Sequence, residues 1–178
     1  SDNDGLSDVA EVFLGANPQL ADTDNDSYSD KQELLSGYNP AGAGKLADNS
    51  SLALYVDADG LLAVIYPQAW TVDLANRNAV LFSAPDQSFV QISREDGEQE
   101  YGDILSWYRQ QFSDAGSLDS SRFLESSFGT GIISADQQIA YFLDADKRHI
   151  VVVSYIKSGE SAPYMEIFKM MASSLMRP

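Results

Sequence analysis

The sequence predicts an α+β fold: a mainly antiparallel sheet with helices packed on it, preceded by a short acidic segment of loops and helices. Three observations carry this. Residues 1–18 and 23–40 are two copies of one pattern. Residues 52–178 hold eight strand-like runs separated by turn signals. Two further stretches, 103–112 and 162–175, place their apolar residues on one helical stripe. A length of 178 residues suits one domain with a small appendage. The composition turns rich in Gly, Ala, Pro and Ser across 39–51. This predicts a repeat segment at 1–40, a linker at 41–51 and a larger domain at 52–178.

Shifted by 22 residues, the two N-terminal copies agree at nine of eighteen positions, among them Asp2/Asp24, Asp4/Asp26, Asp8/Asp30, Glu11/Glu33 and Gly15/Gly37. In the second copy Asp22, Asp24, Asp26, Tyr28, Asp30 and Glu33 occupy positions 1, 3, 5, 7, 9 and 12 of an EF-hand-type loop. Alternate aspartates in a tight loop can aim hard oxygens at one centre, and Ca²⁺ takes about six to eight of them. Tyr28 offers its backbone carbonyl, Asp30 binds directly or through water, and Glu33 closes the sphere from a helix that has already begun. Position 6, normally Gly, is Ser27. The first copy has Asp2, Asp4, Gly5, Asp8 and Glu11 at positions 3, 5, 6, 9 and 12, with the Leu6 carbonyl at position 7. Its position 1 lies before Ser1, so the chain is expected to begin inside a loop of a longer protein, and this site is expected to be weakened or empty. Residues 9–15 and 31–37 read as short helices ended by Gly. Val12, Phe13, Leu34, Leu35 and Tyr38 are expected to share a small apolar cluster, too small to fold without metal.

The tandem D-x-D-x-D-G-x-x-D-x-x-E core followed by G-x-N-P resembles the bacterial thrombospondin type 3 repeat. The resemblance covers residues 1–40. It implies Ca²⁺ binding in an extracellular or cell-surface bacterial protein, often as a stalk, and neighbouring repeats that share carboxylates around one ion.

In the larger domain the strand-like runs are 52–56, 61–66, 79–83, 89–94, 121–127, 131–134, 138–143 and 149–157. Asp57-Ala-Asp-Gly60 and Asp144-Ala-Asp-Lys147 sit between apolar runs and read as hairpin turns. The runs 61–66 and 150–156 are apolar on both alternating faces, which predicts cover on both sides of the sheet. The phrase from Gly60 to Val72, with Tyr66-Pro67-x-x-Trp70 at its centre and Ser83-Ala-Pro-Asp86 following, resembles the opening of PsbP-like domains. That resemblance implies an α/β/α sandwich, and a family of extrinsic binding or assembly factors.

Composition narrows the function. The net charge is −16, and half of it falls in residues 1–48. Such a surface repels nucleic acid and anionic lipid and attracts cations. With no cysteine, thiol catalysis, thiolate zinc sites and iron–sulfur clusters are excluded. The longest apolar runs fall far short of the ~20 residues of a membrane helix. The single histidine, His149, lies beside Lys147 and Arg148 without a G-x-S-x-G elbow, and reads as a strand-edge residue. The acids of 95–103 read as a solvated loop, Gly129-Thr-Gly131 is too short for a phosphate loop, and Trp70, Met165, Met170 and Met171 read as core. The expected function is non-enzymatic: a Ca²⁺-stabilised repeat stalk and a C-terminal module that binds a protein neighbour in the cell envelope, the parent chain being anchored upstream of residue 1. The alternatives are an envelope hydrolase using carboxylates of 52–178, with calcium serving structure only, and a pure spacer.

Overall fold

The structure, a computed structural model, describes residues 1–178, the side chains of Ala115 and Ser117 apart. It is an α+β fold of four helices, a seven-stranded antiparallel sheet and a small two-stranded sheet, with the expected helical segment at the N-terminus. The chain forms two compact units, one of Ser1–Thr71 with Gly159–Pro178 and the other of Val72–Ser158. Neither division falls in residues 41–51.

The first unit opens with two copies of a loop and a short helix. Helices α1 (Asp8–Leu14) and α2 (Asp30–Ser36) start at Ser7 and Ser29, whose side chains accept from Ala10 and Gln32 backbone N–H groups. Both end on a left-handed glycine, Gly15 at φ 75° and Gly37 at φ 78°. This is the ordinary start-and-stop chemistry of a helix, and it recurs every 22 residues. The expected shared cluster does not form. Val12 is 65% exposed, and Leu35 and Tyr38 are also exposed. Helices of two turns bury only one stripe each: Ala10 and Leu14 on α1, Leu34 on α2.

Residues 41–51, expected as a linker, are built into this unit. The Leu46 amide bonds to the Gly37 carbonyl, and the buried Asn49 side chain donates to the Leu14 carbonyl at 2.8 Å, satisfying an end carbonyl of α1. Strands β1 (Leu52–Val56) and β2 (Ala63–Pro67) pair as an antiparallel hairpin. Its turn is the expected one, with the Asp57 carboxylate accepting from the Leu61 and Leu62 amides. Because of that turn β2 begins at Ala63, and Leu61 is exposed. Helix α4 (Met165–Ser173) packs on β2 and α2, burying Ile167, Phe168, Met170 and Met171. Helix α4 covers one face of β2, which lies in a sheet of its own.

The second unit is the seven-stranded sheet, in the order β3-β4-β5-β9-β8-β7-β6. Its strands are β3 (Thr71–Asn76), β4 (Ala79–Ser83), β5 (Phe89–Asp96), β6 (Phe123–Ser126), β7 (Gly129–Ile133), β8 (Ile139–Leu143) and β9 (His149–Ile156). Helix α3 (Ile104–Gln111), capped by Asp103, lays Ile104 and Tyr108 against Ile132, Tyr141 and Ile150. Phe82, Val90, Ile92, Phe142, Val151 and Val153 are buried on the other face. Strand β3 is absent from the sequence reading. Nearly all of it is exposed, with Leu74 at 72%, so no burial-driven alternation marks it. Gly131 lies opposite Phe142, where a Cβ would sit 2.4 Å from the ring, so only glycine fits. Among the described residues, no helix is long and apolar enough to cross a membrane.

Candidate metal centres

The two N-terminal loops have the same backbone. Asn3 and Asn25 lie at φ 66° and 62°, and Gly5 and Ser27 at φ 100° and 84°. The Ser27 conformation confirms that position 6 demands glycine-like geometry even where glycine is missing. Aspartates hold these turns from inside. Asp2 Oδ1 accepts from the Asp4 amide at 3.0 Å and Asp4 Oδ1 from the Leu6 amide at 2.7 Å. In the second loop Asp24 Oδ1 accepts from Asp26 at 3.2 Å and Asp26 Oδ1 from Tyr28 at 2.9 Å. Asp22 accepts from the Asp26 and Ser27 amides. This winding brings carboxylate oxygens together: one each from Asp2, Asp4 and Glu11 lie within 4.8 Å of one another, and so do one each from Asp22, Asp24 and Asp26.

Each helix then buries a glutamate near its loop: Glu11 belongs to the close-set group with Asp2 and Asp4, whereas Glu33 is not one of the group of Asp22, Asp24 and Asp26. Glu11 is 1% exposed and neither of its oxygens has a hydrogen-bond partner; Glu33 is 6% exposed and its Oε2 has none. Asp2 Oδ2 is buried and unpartnered as well. Burial, reinforced by Asp2, Asp4, Asp8 and Asp30, pushes the Glu11 carboxyl up to about 7. Burial, reinforced by Asp24, Asp26, Asp30 and Asp22, does the same to Glu33. A buried carboxylate without donors is costly. These two lie among like charges, a donor set that fits a cation.

Spacing assigns Asp30 to the second loop, but the structure sets it between the two. Its carboxylate accepts from the Thr23 amide and hydroxyl at 2.8 and 2.7 Å. Burial raises its pKa, and the neighbouring charges that add to this are Asp4 and Asp2 of the first loop. The Lys31 amide, next in the chain, donates to Asp4 Oδ2 at 3.1 Å. Asp8, at the matching place in the first copy, is exposed and lies 3.6 Å from the Ser1 amine. Leu6 is buried, whereas Tyr28 is exposed.

The remaining polar clusters are self-satisfied. Asp144, Asp146 and His149 converge, but the Arg94 guanidinium already fills their centre, 2.7 Å from Asp144 and 3.0 Å from Asp146. Burial opposes ionisation of Asp146, yet the Arg148 and His149 amides and the His149 ring hold it down to about 2. His149 Nε2 lies 3.0 Å from Asp96, at the end of paired strands β5 and β9. Four of the five acids of 95–103 have separate partners: Glu95 with Ser93, Asp96 with His149, Glu100 with Arg148, and Asp103 as a helix cap. Trp70, Met170 and Met171 are core, and Met165 is half-buried. The sequence reading missed the aromatic trio of Phe13, Trp70 and Tyr164, with ring centroids 5.2–6.3 Å apart. Its members come from distant parts of the chain, and no local pattern marks them.

The family model of the bacterial TSP3 repeat matches residues 1–21. Among solved structures, a crystal structure from Bacteroides thetaiotaomicron VPI-5482 at 1.50 Å resolution is similar with a TM-score of 0.45 and 15% sequence identity. The match covers 72% of this chain and 49% of that one, so this chain spans about half of its length. No curated protein matches the chain. The TSP3 repeat is a calcium-binding module, and residues 1–21 of this chain match it.

Proposed function

We propose that this chain is a Ca²⁺-binding stalk segment of an extracellular or envelope protein, joined to a module that binds a protein neighbour. The observation that carries the calcium reading is the pair of buried glutamates with unpartnered oxygens, both of Glu11 and one of Glu33, each at position 12 of an acidic loop. Asp2, Asp4, Glu11 and Asp30 would hold one ion, with the Leu6 carbonyl and Asp8 as further oxygens. Asp22, Asp24, Asp26, the Tyr28 carbonyl and Glu33 would hold a second. Bound calcium supplies the positive charge that lets Glu11 and Glu33 ionise where they are buried. Oxygen-only donors and flexible loops favour Ca²⁺ over Mg²⁺, which demands near-octahedral geometry. Millimolar calcium outside the cell suits such modules.

For the rest of the chain we favour a binding role over catalysis. The exposed edge strand β3 supports it, as does the likeness of the segment around Trp70 to PsbP-like openings. The calcium reading is tested by calorimetry on the whole chain, on Asp24→Ala/Glu33→Gln and on Asp4→Asn/Glu11→Gln. Each double variant is expected to lose one ion. Equal binding by all three proteins would refute the assignment.

A further inference from the structure

Lys31, the second residue of α2, touches both the first loop and helix α4. Its amide donates to Asp4 Oδ2 at 3.1 Å. Its ammonium donates to the Gly5 carbonyl at 3.0 Å and lies 3.4 Å from Glu166 Oε1 on α4. A Cβ on Gly5 would meet Lys31 Nζ at 2.9 Å, so the first loop is shaped around this side chain as well as around its own φ. Glu166 is largely buried; Lys169 shares its Oε1 at 3.5 Å, and its Oε2 has no partner. The same end of α4 is tied to the first repeat twice more. Ser7 donates its hydroxyl proton to the Pro163 carbonyl at 2.5 Å, and Phe13 stacks edge-on to Tyr164. A cleft of about 410 Å³, lined by Asn3, Gly5, Ser7, Pro163, Met165 and Glu166, runs between them.

We propose that Lys31 couples the first calcium loop to helix α4, so that ion binding at Asp2, Asp4 and Glu11 secures the seating of residues 162–166. The inference rests on the calcium reading above and adds a regulatory consequence to it. An ion that draws Asp4 and the Gly5–Leu6 turn into one geometry also fixes the two oxygens that position Lys31, and Lys31 in turn fixes Glu166. Linkage makes the effect reciprocal: whatever the ion gives to α4, α4 returns to the ion. Without the ion, the first loop holds repelling carboxylates, and α4 loses a rigid partner at its first turn. The C-terminal helix thereby reports on calcium at the N-terminus, more than 150 residues away in sequence.

The test is hydrogen exchange of the α4 amides in the whole chain, with calcium and with EDTA, beside calorimetry on the same samples. In the wild type, calcium is expected to slow exchange across Met165–Ser173 by about ten-fold or more, the size of an ordinary coupling energy. Lys31→Met keeps the stem and removes the ammonium. It is expected to lose most of the slowing while still binding calcium, since the affinity that α4 returned is lost as a nearby positive charge is shed. Glu166→Gln cuts the same link from the other side, so a folding failure of one variant leaves the other decisive. Ions bound with no slowing in the wild type, or equal slowing in the variants, would overturn the coupling while leaving the calcium reading standing. No heat of binding in the wild type would remove both.

Discussion

Replacing Glu11 by Gln should stabilise the chain without calcium and weaken it with calcium. Glu11 sits almost fully buried, with both oxygens unpartnered, and its pKa rises from 4.5 to about 7 through burial and then through Asp2, Asp4, Asp8 and Asp30. The folded state thus binds more protons than the unfolded one. Its stability is full below pH 4.5 and is lost as the pH rises through 7. At about 1.4 kcal/mol per pH unit, the loss is roughly 3 kcal/mol. Glu33 adds a loss of the same sign and window. Glutamine keeps the shape and drops the charge. In EDTA at pH 8, Glu11→Gln should therefore be up to roughly 3 kcal/mol more stable than the wild type. At pH 5, where Glu11 is already protonated, the two should agree to within about 1 kcal/mol. In saturating calcium at pH 8 the order reverses, because the wild type has a ligand that the variant lacks. Urea denaturation at both pH values, in EDTA and in calcium, reads all of this. A calcium-free wild type whose stability is flat from pH 5 to pH 8, or a variant destabilised at pH 8 in EDTA, would refute the reasoning.

Three further outcomes follow from the packing. Ser27→Gly should stabilise the second loop by about 1 kcal/mol and tighten its calcium affinity, since Ser27 sits at φ 84°; equilibrium unfolding in calcium checks it. Gly131→Ala should cost about 1–3 kcal/mol by thermal melting, because the new Cβ collides with the Phe142 ring. Leu34→Ala should cost about 2–5 kcal/mol by urea denaturation in calcium, Leu34 being the buried apolar residue of α2 that stands where α1 has the exposed Val12.

The repeat was legible in the sequence because its constraints are local. Ser7 and Ser29, Gly15 and Gly37, and the alternate aspartates each act within one loop or one helix end, so spacing alone places them. Most strands were legible for the same reason: alternation and the Asp57–Gly60 and Asp144–Lys147 turns mark them. What was hidden depends on contacts between distant residues. Nothing near Leu34 or Val12 says that one is buried and the other not, since α4 decides that for α2. Residues 41–51 carry the composition of a linker, yet Asn49 and Leu46 are buried in the first unit. Strand β3 hides because an exposed edge strand has no inward face to pattern. Asp30 has correct spacing for its own loop, and only the fold brings the charges of Asp2 and Asp4 near enough to act on it.

The central claim is that Glu11 and Glu33 are buried as calcium ligands. A crystal structure of the chain grown in calcium, with anomalous data to identify the ion, tests it most directly. The account predicts two ions, one with a Glu11 oxygen and one with a Glu33 oxygen at about 2.3–2.6 Å. Ions bound only by the exposed aspartates, with Glu11 and Glu33 still unpartnered in calcium, would contradict it.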